Sequence, residues 1–203
     1  DSKIYGIEID SITGRIAQQL YQRNSVAIQG YEDTTLPDSF FDVAIGNVPF
    51  GDYKLSDKKY NKHNFLIHDY FFAKTLDKVR PGGIVAFITS SGTMDKRNSK
   101  VRQYIAQRAD LVGAIRLPNN AFLKNAGTEV TADILFLQKR DRMTDIMPDW
   151  VQHGTLENGI AVNQYFVDNP DMILGEMQTV SGPFGPTPTC MPYDDVPLSE
   201  QLN

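Results

Sequence analysis

Short apolar runs alternate with helix-length segments over residues 1–140, and this alternation restricts the fold more than any other feature of the sequence. Lys3-Ile-Tyr-Gly-Ile-Glu-Ile9 reads as a strand of the kind buried in a parallel sheet, ending on the acids Glu8 and Asp10. Ser11 is placed to cap a helix from Ile12 to about Arg23, in which Ile12, Ile16 and Leu20 recur at helical spacing. Val26-Ala-Ile-Gln29 follows as a second strand, and Phe40-Phe-Asp-Val-Ala-Ile45 as a third. The third runs into Gly46-Asn-Val-Pro-Phe-Gly51, whose Gly and Pro end the ladder, so this turn lies at a strand's carboxyl end. The pattern predicts a helix over 64–79 closed by Arg80-Pro-Gly-Gly83, and Ile84-Val-Ala-Phe-Ile-Thr89 is the most strand-like run in the chain. After a basic loop and helix from Asp95 to about Ala109, Leu111–Arg116 and Ala132–Gln138 read as late strands. Strand–helix alternation of this kind predicts an α/β domain with a doubly wound, mainly parallel sheet that binds ligands at the carboxyl ends of its strands.

Bulk properties narrow the function. A chain of 203 residues can bury an ample core, and its single cysteine, Cys190, leaves neither a disulfide framework nor a CxxC metal cluster. No metal is expected. No apolar run approaches the roughly 20 residues that a membrane span needs, and Asp1-Ser2-Lys3 does not begin a signal peptide, so a cytoplasmic protein is expected. A net charge of -5 argues against a general nucleic-acid coat, because that binding is driven by neutralising phosphates with Lys and Arg. Any DNA contact must be local. Beyond Arg142, Pro, Gly, Asn and Asp become frequent and periodicity fades, with Ser181-Gly-Pro-Phe-Gly-Pro-Thr-Pro188 as the clearest break. The expected division is a partial catalytic core over 1–142 and a loop-rich extension over 143–203.

The turn after the third strand carries the chemistry. In Asp42-Val-Ala-Ile-Gly-Asn-Val-Pro-Phe-Gly51 a strand-end Asn meets a proline-stiffened turn and an aromatic ring. A side-chain amide and a backbone carbonyl can accept the two hydrogens of a planar amine while the ring stacks on its face. This resembles the Asn-Pro-Pro-Tyr/Phe motif of the amino-group methyltransferases, with Val48 in place of the motif's first proline. The resemblance extends through Leu66–Thr89 and through Gly113-Ala-Ile-Arg-Leu-Pro118 with Thr131–Gln138, which look like the late strands of the type I modification-subunit branch. It covers roughly 1–140 and rests on the ordered set rather than on any one motif.

That resemblance implies a Rossmann-like fold and an N6-adenine-specific DNA methyltransferase that uses S-adenosylmethionine and flips its target base into the pocket. It implies that Asn47, Val48, Pro49 and Phe50 form the catalytic loop. It further implies that Glu8, with Ile9 beside it, meets the cofactor ribose, that Glu32 or Asp33 meets the cofactor adenine, and that Asn47 borders the cofactor. His68 and Asp69 are possible polar neighbours of the cofactor. Family members carry a strand and a Gly-x-Gly turn ahead of the acidic strand, whereas this sequence starts at the acidic strand. The fold is therefore expected to lack its first strand here, and the isolated chain to be weak or inactive. For DNA, the candidate phosphate contacts are Lys54, Lys58, Lys59 and Lys62 after the catalytic turn, and Lys96, Arg97, Lys100 and Arg102 after the strand ending at Ser90. Both groups are expected on the carboxyl-end face. Sequence recognition is left to further domains or subunits. The alternatives are methylation of RNA or of a glutamine amide, or a non-catalytic DNA- or partner-docking module that keeps the fold.

Overall fold

The computed structural model of the chain describes residues 2–182 and 185–202, so Pro183 and Phe184 of the proline-rich break lie outside the described residues. Strands β1 (Tyr5–Glu8) and β2 (Ser25–Ile28) pair in parallel, joined by helix α1 (Ser11–Leu20). The helix cap is Asp10 rather than Ser11: its backbone is extended and its carboxylate accepts the Thr13 N–H at 2.7 Å, which leaves Ser11 inside the helix. Gly14 sets how closely α1 approaches the sheet, because a Cβ there would stand 2.7 Å from Ile28 Cγ1.

The main sheet is built from β3 (Phe41–Asn47), β4 (Val79–Ser90), β5 (Ala109–Leu117) and β6 (Ala132–Lys139), in the order β3-β4-β6-β5. Helix α2 (Ile67–Lys78) connects β3 to β4, and α3 (Gly92–Asp95) and α4 (Lys100–Ala106) connect β4 to β5. Strands β3 and β4 pair in parallel, whereas β6 runs antiparallel to both β4 and β5. Three strands thus share one direction. The reversal of β6 follows from its connection, which leaves β5 and enters β6 at the same end of the sheet without a crossover.

Strand β4 starts earlier than the sequence suggests. Val79 pairs with Phe41 and Ile84 with Val43, so residues 80–83 form a bulge, with Gly82 at φ +75. Pro81 is tolerated there because a bulged residue has no ladder hydrogen bond to donate.

Past Arg142 the chain adds hairpin β7 (His153–Thr155) with β8 (Ala161–Asn163), and hairpin β9 (Glu176–Gly182) with β10 (Gly185–Met191). Trp150, Val151, Val162 and Phe166 from this segment share one core cluster with Phe72, Leu76, Val85 and Phe87. Among the described residues no helix is long and apolar enough to cross a membrane.

Among the described residues β1 is bonded to β2 and β3 to β4, and each leaves its other edge open. The ring of Tyr5 at the start of β1 lies 5.3 Å from that of Phe41 at the start of β3, so the two strands begin side by side. Ile45, in the middle of β3, is 81 % exposed, and Ile12, Ile16 and Leu20 form an exposed apolar stripe along α1. Residues that read as buried sheet and helix faces are here uncovered.

Candidate active site

Asn47 closes β3 opposite Ile88 of β4. Pairing continues one residue further, since the Val48 N–H donates to the Ile88 carbonyl at 3.0 Å. The Val48 side chain, 3 % exposed, belongs to the core. Val at this position therefore supplies a donor and a packing group that Pro lacks. Val48→Pro is expected to leave the Ile88 carbonyl unpaired and to destabilise the fold by about 1–3 kcal/mol. A urea midpoint equal to that of the parent would show that the strand extension contributes nothing.

Beyond Val48 the turn lies on the start of α2: the Ile67 N–H donates to the Tyr53 carbonyl at 2.9 Å, and the Tyr53 ring covers Gly51 so closely that a Cβ there would sit 2.7 Å from it. The backbone is thus held at β4 and at α2, while the side chains of Asn47 and Phe50 face solvent. Among the described residues neither has a hydrogen-bond or ring partner. The amide and the ring are thus presented unengaged on a fixed backbone.

The predicted cofactor acids lie at neighbouring strand ends. Glu8 ends β1 and accepts the Asp10 N–H at 2.9 Å through one oxygen, while Ile9 is exposed beside it. Glu32 and Asp33 fall in a 3-10 turn, Tyr31–Asp33, just past β2. Gly30 is buried, and a Cβ there would stand 2.6 Å from Glu32 Oε1, so glycine lets the Glu32 carboxylate fold back over the strand end. Glu8 and the Glu32–Asp33 turn are brought together by the β1–β2 pairing.

The basic residues divide differently from the expectation. Lys59 bonds to Asp38, just before β3, and to Asp77 in the last turn of α2, at the amino end of the strands rather than the carboxyl end. The cause is the path of the loop, which follows α2 from its first turn to its last while burying Tyr60 against it, and Lys58 and Lys62 flank Lys59 in that loop. Lys54 stays near the start of α2 and donates to Asn64 Oδ1. Arg97 and Lys100 are exposed. Arg102 is not a surface cation: it is 1 % exposed and donates to the carbonyls of Val151 and Lys96.

His68 and Asp69 occupy the first turn of α2, both buried, with His68 Nε2 3.3 Å from Asp69 Oδ1 and Lys96 Nζ 3.9 Å from Asp69 Oδ2. Burial pushes the Asp69 carboxyl up and the His68 imidazole down. Sequence reasoning missed Lys74, which is buried in α2 against the acidic turn. The available signal was a lysine on the apolar side of a helix whose other residues there are core.

The α/β sheet has the Rossmann-like fold of S-adenosylmethionine-dependent methyltransferases, as the comparison with solved structures shows. A protein assigned to the class I S-adenosylmethionine-dependent methyltransferases of Listeria monocytogenes matches with a TM-score of 0.57 and 22 % identity, over 73 % of this chain and 47 % of that one. A type I restriction-enzyme modification subunit from Vibrio vulnificus matches with a TM-score of 0.57 and 20 % identity, over 71 % of this chain and 34 % of that one. The family model described as Eco57I restriction-modification methylase matches residues 19–122, and the chain belongs to that family. It is also 34 % identical over 167 residues to the "Defense against restriction protein B" of Escherichia phage P1, a match that covers 79 % of this chain and 7 % of that protein.

Proposed function

We propose that this chain is the catalytic core of an enzyme that transfers a methyl group from S-adenosylmethionine to the N6 amino group of adenine in DNA. The observation that carries the reading is the turn at the end of β3, where a rigid backbone presents an unengaged Asn47 amide beside an exposed Phe50 ring. The target adenine leaves the duplex and stacks on Phe50. Asn47 Oδ1 and the Val48 carbonyl accept the two N6 hydrogens, which turns the nitrogen lone pair out of the ring's conjugation and toward the methyl donor. Held by these two acceptors, the amine would meet the donor with its lone pair exposed, and N6 would give up its proton to solvent at the open face of the turn. When bound, S-adenosylmethionine supplies the electrophilic methyl.

The residues present suit the nucleoside half of that cofactor. Glu8 keeps a carboxylate oxygen for the ribose hydroxyls, and Glu32 or Asp33 serves the adenine amino group. The methionine half needs a close backbone cradle, which we assign to a further strand with a glycine turn seated between the open edges of β1 and β3, where it also covers Ile45. Lys54, Lys96 and Arg97, beside the start of α2, meet DNA phosphates, and other domains or subunits choose the sequence. Trp150, Val151, Val162 and Phe166, past residue 142, act as part of the catalytic core's packing.

Calorimetric titration with S-adenosylmethionine is the test. The 203-residue chain is expected to bind weakly. A version extended upstream by a glycine-turn strand is expected to bind tightly and to methylate adenine-containing duplexes. Tight binding by the extended protein without transfer to adenine would overturn the assignment of substrate, and a transfer rate in the 203-residue chain equal to that of the extended protein would overturn the assignment of the slot.

A further inference from the structure

Lys74 sits in the middle of α2 and is 3 % exposed, yet its ammonium is fully engaged. It donates to the Tyr31 carbonyl at 2.7 Å, to the Glu32 carbonyl at 3.1 Å and to Asp57 Oδ2 at 3.1 Å. These three bonds use all of its donors. The cation also lies 5.1 Å from the centre of the Tyr31 ring and 5.6 Å from that of Tyr70. Burying an ammonium is unfavourable unless every partner is in place, and an apolar side chain would pack at this helix position without that demand.

The partners belong to two different segments. Tyr31 and Glu32 form the acidic turn after β2, which is fixed a second time by the Tyr31 hydroxyl against Thr75 Oγ1 at 2.9 Å. Asp57 belongs to the loop that runs on from the Asn47–Phe50 turn, and its Oδ2 also accepts the Tyr70 hydroxyl at 2.8 Å. The hydrogen bonds of Tyr70 and Lys74 hold the Asp57 carboxyl below its ordinary value against the opposing effect of burial, so it stays charged opposite the ammonium. One buried cation therefore holds the main chain of the acidic turn on one side and the loop following the base-binding turn on the other.

We infer that Lys74 is a positioning residue that sets the Glu32–Asp33 turn for the cofactor's adenine and, through Asp57 and Tyr70, makes cofactor and DNA binding reinforce each other. This rests on the proposed roles of the acidic turn and of the catalytic loop. Ordering the acidic turn around the cofactor fixes the carbonyls that hold Lys74, and Lys74 in turn fixes Asp57. The coupling is reciprocal, so DNA must tighten cofactor binding by the factor by which cofactor tightens DNA binding.

The experiment titrates S-adenosylmethionine into the full-length protein, with and without an adenine-containing duplex, for the parent, Lys74→Met, Asp57→Asn and Tyr70→Phe, alongside urea unfolding and steady-state kinetics. Lys74→Met is expected to weaken cofactor binding about tenfold, a typical size for coupled sites, and to raise KM for the cofactor while kcat at saturation changes little. Asp57→Asn and Tyr70→Phe leave the acidic turn held by Lys74, so they are expected to keep the parent Kd without DNA and to lose the tightening that DNA brings. A lowered urea midpoint with parent-like Kd and KM in Lys74→Met would reduce its role to packing and overturn the inference. If Lys74→Met does not fold, Asp57→Asn decides, since it removes the charge through which Lys74 holds the loop: retained DNA-induced tightening overturns the coupling, and lost tightening supports it. Failure of the parent to bind S-adenosylmethionine at all would instead remove the proposed function.

Discussion

Asn47→Ala is expected to lower methyl transfer by about 10²–10³-fold, the loss seen when one preorganised polar contact to a reacting group is removed. Its effect on folding should be small, within about 0.5 kcal/mol, because the side chain faces solvent and is not part of the core. The division arises because the backbone of the turn does not depend on the Asn47 side chain: Val48 is pinned to Ile88, and Tyr53 to Ile67. What the substitution deletes is the acceptor proposed to orient the amine, so the loss should appear in kcat rather than in cofactor affinity. Asn47→Asp keeps an acceptor of the same size and should retain part of the rate, which separates hydrogen bonding from shape. Incorporation of a labelled methyl group into an adenine-containing duplex, measured beside urea unfolding, gives both numbers. Normal transfer by Asn47→Ala in a cofactor-binding form of the protein would remove the turn from the mechanism.

The elements that periodicity could reach were legible in the sequence. Buried strands such as β4 and β6 announce themselves by unbroken apolar runs, and the turn over Asn47–Phe50 by Gly and Pro at the end of β3. Features that depend on where a neighbouring segment passes were not. The start of β4 at Val79 could not be read, because a Pro-Gly-Gly run that normally ends an element is here absorbed as a bulge. Lys59 looked like a free surface cation because nothing local shows that its loop follows α2 down to Asp77. Arg102 looked the same, although its carbonyl partner Val151 lies in a segment with no visible period. That segment packs through widely spaced single residues such as Trp150 and Phe166, which no window of periodicity can collect. The candidate site follows the same division. The acids and the Asn-x-Pro-Phe turn stand out as types at strand ends, whereas the surroundings of Lys74 come from carbonyls more than forty positions earlier in the chain and from Asp57 in the preceding loop.

Asp133→Ala should produce the largest loss of stability among the substitutions considered, about 3–5 kcal/mol, because it strands a buried guanidinium. Arg116 is fully buried, and its Nε and Nη2 each donate to Asp133 at 2.9 Å. Its Nη1 lies 2.7 Å from Asp95 Oδ2, and its Cζ stands 4.3 Å from the centre of the Phe166 ring. Burial opposes the charge on Arg116, but Asp133 and Asp95 beside it hold its pKa above the ordinary guanidinium value. Asp95 also accepts the Asn163 N–H at 2.8 Å, and Asn163 Nδ2 donates to the carbonyls of Met94 and Trp150. One ionic cluster thus joins β5, β6 and α3 to the segment after residue 142. With Asp133 gone, Asp95 alone faces the guanidinium and is drawn away from Asn163, so the damage should spread to the anchoring of that segment. Replacing both charges tests whether the loss comes from the unpaired cation rather than from the cavity. Arg116→Met combined with Asp133→Leu removes the Arg116–Asp133 pair together and fills most of its volume, leaving the partly exposed Asp95 on the Asn163 N–H, and is expected to unfold within about 1–2 kcal/mol of the parent. Urea unfolding of Arg116→Met, Asp133→Leu and the double variant gives the coupling energy directly. A double variant as unstable as the sum of its parts would mean that the two charges act independently and that packing alone accounts for the loss.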